Sequence, residues 1–126
     1  MSLLSIITVC YNAEKTIQRT IDSVRKQKTI DVEYIIVDGS SIDSSYRLVR
    51  NSSDIVDISL SEEDDGLYDA MNKGVNMSSG KYLMFLNADD ILKENAIEYI
   101  LKEIKLNNSD IIYGAIELLN SEKGSL

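Results

Sequence analysis

Residues 85–90 read Phe-Leu-Asn-Ala-Asp-Asp, an apolar run that ends in an amide and two adjacent carboxylates. Neighbouring like charges repel, and the 126-residue chain already carries a formal net charge of −8. Polar groups also follow three earlier apolar or alternating stretches: Tyr11-Asn12, then Asp38-Gly39-Ser40-Ser41-Ile42-Asp43, then the acidic run from Ser61 to Gly66. Turn chemistry accounts for any one of these clusters alone, because turns favour Asp, Ser, Asn and Gly. All of them on one rim ask for a further reason. Carboxylates brought together raise each other's pKa unless a positive charge offsets the repulsion. Lys73 is the nearest basic candidate. A hard divalent cation suits oxygen ligands better, and Mg²⁺ is usually held by one or two carboxylates, waters and substrate phosphates. Such an ion would also let a nucleoside diphosphate approach an acidic protein. The competing role for Asp89 and Asp90 is helix capping, since a helical pattern begins just downstream.

The elements that must position these residues alternate. Residues 3–10 and 32–38 are short, apolar and β-branched, as strands buried on both faces are. Residues 54–60 and 81–87 supply a third and a fourth strand, and 110–118 begins a fifth. Between them, Ile17, Ile21 and Val24 recur at helical spacing after Asn12, which is placed to cap that helix with Glu14 in its first turn. A short helix is expected over Tyr46–Arg50, a longer one from Leu67 to Met77, and another carrying Ile97, Ile100, Leu101 and Ile104. Alternation of this kind implies right-handed crossovers and a mostly parallel sheet with helices on both faces. The fold class is therefore α/β and Rossmann-like, and ligands of such sheets bind outside the carboxyl ends of the strands.

Composition excludes several functions. A sequence pI near 4.5 argues against a nucleic-acid surface, which needs clustered Lys and Arg. Histidine is absent and Cys10 is the single cysteine, which removes His triads, His-containing zinc sites and disulfides. No run approaches the ~18 apolar residues of a membrane span, and the N-terminus reads as a strand and not a leader. The expected location is the cytoplasm, with peripheral association at the inner membrane. The Asn-x-Ser sequons at Asn51, Asn76 and Asn107 are then incidental. Neither a P-loop nor a glycine-rich dinucleotide loop follows the first strand.

In this setting the motifs at 5–12 (SIITVCYN), 33–43 (EYIIVDGSSID), 61–74 (SEEDDGLYDAMNKG) and 79–90 (SGKYLMFLNADD) resemble those of the family 2 glycosyltransferases of the GT-A fold. The likeness covers essentially the whole chain and is strongest to the bacterial branch that builds O-antigen, capsule and other surface polysaccharides. It implies that Thr8, Tyr11 and Asn12 line the nucleoside pocket. Asp38 is the implied hydrogen-bond acceptor for the base, usually uracil, with Ser40 and Asp43 supporting its loop. Asp64, Asp69 and Lys73 border the nucleotide and its phosphates. Asn87-Ala88-Asp89 matches the D-x-D motif, in which the last acid meets Mn²⁺ or Mg²⁺. Because Asn87 replaces the first acid, Asp89 carries most of the metal role, with Asp90 beside it, while Asn87 and Ala88 count among the nucleotide-binding residues and Asn87 suits the ribose or a water.

The resemblance further implies inverting transfer from a nucleotide-diphosphate sugar, UDP-linked by preference, to a glycan or lipid-linked acceptor. A carboxylate base would take the acceptor proton, an effect typically worth ~10²–10⁴-fold. In the family that base lies in the acceptor-binding half, so it is expected beyond Leu126, and residues 1–126 are read as the donor-binding part. Tyr68 and Met71 are expected in the helix core, and Ser41 as a turn former. An exposed sheet edge favours a homo-oligomer. The alternatives are a sugar-nucleotide nucleotidyltransferase, a Mg²⁺-dependent phospho-acceptor signalling domain and a binding-only module. The first expects a glycine-rich basic loop after strand one, and the second an acidic pair there.

Overall fold

The computed structural model describes residues 2–107 and 110, with the backbone of 119–120 and 124–125. Along the chain run β1 (Leu4–Cys10), α1 (Ile17–Arg25), β2 (Val32–Asp38), α2 (Ser45–Arg50), β3 (Ile58–Ser61), α3 (Leu67–Met77), β4 (Tyr82–Phe85), α4 (Ala96–Leu106), β5 (Leu119–Asn120) and β6 (Gly124–Ser125). The first four strands form one parallel sheet in the order β3-β2-β1-β4, and β5 pairs antiparallel with β6. The fifth strand expected over 110–118 falls, but for Asp110, outside the described residues.

β1 and β2 are central and enclosed on both faces, which is why they read as unbroken apolar runs rather than alternating ones. On one face Leu4, Ile6, Tyr34 and Ile36 pack with Ile17, Ile21 and Val24 of α1, Val49 of α2 and Ile97, Leu101 and Ile104 of α4. On the other, Ile7, Val9, Ile35 and Val37 meet Ala70, Met71 and Val75 of α3. Full burial of each such aliphatic side chain is worth roughly 1.5–3 kcal/mol, so these two strands anchor the molecule. The registers Cys10–Asp38 and Asp38–Ser61 bring the ends of β1, β2 and β3 level. Strand order changes direction at β1, whose neighbours are β2 and β4, and the crevice of such a sheet opens there.

Several boundaries differ from the sequence reading, among them the end of β4, which stops at Phe85 and leaves Leu86 and Asn87 in the following loop. α1 starts at Ile17 with Thr16 at its N-cap, so Asn12 caps nothing and no acid occupies the first turn. β3 starts at Ile58 rather than Asp54, because the acids ahead of it are committed elsewhere. Asp54 takes two hydrogen bonds from Arg25, at 3.0 Å each, and Asp57 Oδ2 accepts the Tyr34 N–H at 2.8 Å. Asp90 lies a full loop ahead of α4, which begins after Asn95, and therefore does not cap that helix.

Candidate functional site

The rim divides into a stapled platform and an open cleft. The platform joins the loop after β1 to the loop after β2. Asn12 N–H donates to Ser41 Oγ (2.8 Å) and Asn12 Oδ1 accepts from Ile42 N–H (3.0 Å). Ala13 N–H donates to Ser45 Oγ (2.7 Å), and Glu14 N–H to Asp43 Oδ2 (3.2 Å). Asp43 Oδ1 takes the Ser45 N–H at 2.9 Å. Desolvation works against the Asp43 carboxylate, but the bonds from Ser45 and Glu14 outweigh it and hold its pKa below the ordinary value. Asn12 (φ 48°) and Ser40 (φ 64°) take left-handed backbone conformations that the staples keep in place.

Asp38 is the hub of that platform and is fully buried. Its Oδ1 accepts from Ser41 Oγ (2.5 Å) and Cys10 Sγ (3.3 Å), and its Oδ2 from Ser41 N–H (2.9 Å) and Ser61 Oγ (2.7 Å). Every acceptor direction is thus committed within the protein. Ser41, read as a turn former, links Asp38 to Asn12. Its position three residues after Asp38 is the signal that could have found it, since Asp side chains bond backbone a few residues on. Burial, and then the Asp38 charge, push the Cys10 thiol far above its usual pKa. Thr8 is likewise enclosed, with its hydroxyl 2.8 Å from that of Tyr34, and has no face on the cleft.

The acid left over this platform is Asp64. A Cβ placed on Gly39 would lie 2.6 Å from Asp64 Oδ2 and 3.5 Å from Tyr11 Cδ1. The missing side chain at Gly39 is what allows the carboxylate and the Tyr11 ring to close over the β2 turn. Lys73 is held by its own loop: Nζ lies 3.0 Å from Glu62 Oε1 and 3.5 Å from Asp69 Oδ2, and donates to Glu63 O at 2.8 Å. The Glu62 bond leads in raising the Lys73 pKa, while the Asp65 N–H leads in lowering that of Asp69. Met71 packs against the core as expected, but Tyr68 is 77% exposed on the first turn of α3.

The open cleft lies between the ends of β1 and β4 and encloses about 320 Å³. Val9, Cys10, Tyr11, Asn12 and Ala13 line it from the end of β1, Asn87, Ala88 and Asp89 from the segment after β4, and with them Thr16 and Leu67. The last two were not foreseen; Leu67 reads from sequence only as helix face. Asn87, Asp89 and Asp90 are exposed. Among the described residues no three His, Cys, Asp or Glu side chains converge on one point. Asn87 and Asp89 present oxygen donors at this cleft, the hard ligand type that Mg²⁺ takes together with waters and substrate phosphates.

Comparison with known proteins decides the family. The family model described as glycosyl transferase family 2 matches residues 5–125. The chain belongs to glycosyl transferase family 2. This family 2 chain is 32% identical over 120 residues to the UDP-Glc:alpha-D-GlcNAc-diphosphoundecaprenol beta-1,3-glucosyltransferase WfgD of Escherichia coli, covering 94% of the chain and 47% of the relative. Its fold matches S. aureus TarS 1–349 in complex with UDP-GlcNAc, with a TM-score of 0.79 at 23% identity over 86% of this chain and 32% of the other. It also matches the mannosyltransferase PcManGT of Pyrobaculum calidifontis in complex with GDP-Man and Mn²⁺, with a TM-score of 0.70 at 22% identity over 79% of this chain and 31% of the other. The expected GT-A fold is thereby established. The chain spans about half the length, or less, of the relatives it matches. Among the described residues no helix is long and apolar enough to cross a membrane.

Proposed function

We propose that residues 1–126 form the donor-binding part of an inverting glycosyltransferase. Its donor is a nucleoside-diphosphate sugar, UDP-linked by preference, and its acceptor a hydroxyl of a glycan or lipid-linked oligosaccharide in surface-polysaccharide synthesis. The observation that carries this reading is the cleft at the β1–β4 switch point, with the Tyr11 ring on one wall and Asp89 on the other. In a chain of this family, names such as that of WfgD support the donor and acceptor classes. The enzyme works at the cytoplasmic face of the inner membrane, on acceptors presented there.

Each residue then has a task. Tyr11 borders the nucleoside, and Asp64 offers the carboxylate that meets its polar edge. Asp38 acts from below by holding the platform through Ser41 and Ser61, with Asn12, Ser40 and Asp43 fixing the loops. Lys73 keeps the acidic loop folded against α3 beside Asp69, and would neutralise part of a diphosphate charge that reaches that loop. Asp89, helped by Asn87 and Asp90, would hold Mn²⁺ or Mg²⁺, which when bound supplies positive charge to the departing diphosphate. Thr8 supports the floor from the core. The catalytic base belongs to the acceptor-binding half, beyond Leu126.

Calorimetry of the 126-residue chain with UDP, GDP and their sugars, with and without Mn²⁺, tests this. The expected result is UDP binding that strengthens with Mn²⁺, while Mn²⁺ alone binds weakly because the described residues form no cage of three or more His, Cys, Asp or Glu ligands. Asp89→Ala is expected to weaken the metal-dependent part by about tenfold or more, the scale of losing a metal's supporting groups. Nucleotide binding indifferent to both metal and Asp89 would overturn the reading.

A further inference from the structure

Helix α1 and the turn after it direct a polar stripe, Thr20 and Ser23 of the helix and Gln27 of the turn, toward the segment that leads from β4 to α4. Thr20 is fully buried, and its Oγ1 lies 2.9 Å from the carbonyl oxygen of Ala88 and 2.6 Å from that of Asp90. Asp90 N–H closes a turn onto the Asn87 carbonyl at 3.1 Å, so Ala88 and Asp89 form the corner of that turn. A hydroxyl has one proton to donate, shared here between two acceptors. Those acceptors belong to the residues on either side of Asp89. A planar trans peptide also places the Asp89 N–H on the side opposite the Ala88 carbonyl, away from Thr20.

The rest of the stripe holds residues farther down the same segment. Ser23 Oγ accepts from Leu92 N–H at 3.0 Å. Gln27 Nε2 donates to the Lys93 carbonyl at 2.7 Å, while its Oε1 accepts from Ile97 N–H at 3.0 Å. Thr20 itself interrupts the apolar face made by Ile17, Ile21 and Val24. A valine would pack there equally well, and a buried hydroxyl is repaid only through the bonds it makes. The two bonds of Thr20 reach the Ala88–Asp89 and Asp90–Ile91 peptide groups, which bracket Asp89 and Asp90.

We propose that Thr20 is the positioning residue for the Asp89 carboxylate: it fixes the Asn87–Asp90 turn so that Asp89 is presented to the divalent cation already oriented. This rests on the donor-site reading above. Groups that orient a metal ligand are typically worth 10–100-fold in metal affinity, and a turn fixed in advance spares the cation the cost of ordering it.

The test titrates Mn²⁺ into the full chain at saturating UDP, following free Mn²⁺ by electron paramagnetic resonance and heat by calorimetry. Thr20→Val and Thr20→Ala are expected to weaken Mn²⁺ by about tenfold, and Thr20→Ser to restore it. Gln27→Met, on the same stripe but away from Asp89, should lower the urea midpoint and leave Mn²⁺ affinity unchanged. Equal Mn²⁺ affinity in folded Thr20→Val and wild type would overturn the positioning role alone. Equal weakening in Gln27→Met would overturn it too, by showing a general effect of loosening. Loss of native near-ultraviolet dichroism in both Thr20→Val and Thr20→Ala would make the hydroxyl structural, with the same consequence. If wild type shows no metal-dependent UDP binding at all, the donor-site reading itself fails and this inference with it.

Discussion

At the scale of single residues, the carboxylates divide by whether their oxygens are already spent. Asp38 accepts from Ser41, Ser61 and Cys10 inside the protein, whereas Asp89 stands exposed in the cleft. An amide at position 38 would have the same shape but would set an NH₂ against donors. One of them, the Ser41 N–H, cannot rotate away. Asp38→Asn is therefore expected to destabilise by about 1–3 kcal/mol, and Ser61→Ala, which removes one bond, by about 1 kcal/mol; urea unfolding measures both. Equal costs would mean that the hub is not a hub. This division is also where the sequence stops being legible. It places Thr8, Asn12, Asp38 and Asp43 at or near strand ends, and all are near the site. It does not say that Thr8 turns to Tyr34 or that Asn12 and Asp43 are consumed in staples. Which oxygen meets which donor depends on loops from two elements meeting, and no single segment encodes that.

At the scale of elements, close approach sets the site's geometry through two glycines. α3 lies against β1 at Gly74, where a Cβ would fall 2.5 Å from Ile7 Cγ2. The turn before β4 lies against β1 at Gly80, where a Cβ would fall 2.6 Å from the Ser5 nitrogen and 2.9 Å from the Leu4 carbonyl carbon. In the first case a side chain can yield. Overpacking of roughly 1–3 kcal/mol is then partly offset by about 1 kcal/mol of helix propensity gained from alanine. In the second case backbone must move, and with it the pairing of β4, which leads into the loop of Asn87 and Asp89. Gly80→Ala is expected to cost about 3 kcal/mol or more and clearly more than Gly74→Ala, as urea midpoints would show. The helix and strand assignments were legible because periodicity is a local property. β3 was misjudged at its start because Asp54 and Asp57 look like alternating strand residues. Their partners Arg25 and Tyr34 lie on other elements. The Asp90 misreading has the same root, since the loop between Asp90 and Asn95 carries no sequence stop signal.

For the molecule as a whole, titration connects charge, core and stability. Asp43, Asp54 and Asp69 all have pKa values below the ordinary 3.8 in the folded chain. A depressed carboxylate contributes stability that is present above its unfolded pKa and lost as pH falls through the folded value. The acid limb is thus expected to begin only below about pH 4. At the other end, burial and the Asp38 charge raise the Cys10 thiol above its ordinary 9.0, and burial raises the Tyr34 phenol above its ordinary 10.0. The sign there is opposite. The unfolded chain ionises first, so stability is full below pH 9.0 and declines as pH rises past it. One group contributes a slope of about 1.4 kcal/mol per pH unit. A plateau from about pH 4 to 9 follows, although the net charge of −8 would by itself favour the acid side. Because Cys10 titrates before Tyr34 in the unfolded chain, Cys10→Ala should move the alkaline limb upward by about one pH unit, toward the tyrosine value. Thermal unfolding of wild type and Cys10→Ala between pH 7 and 11 reads this directly. An alkaline limb that stays in place in Cys10→Ala would show that the thiol buried beneath the platform does not set it.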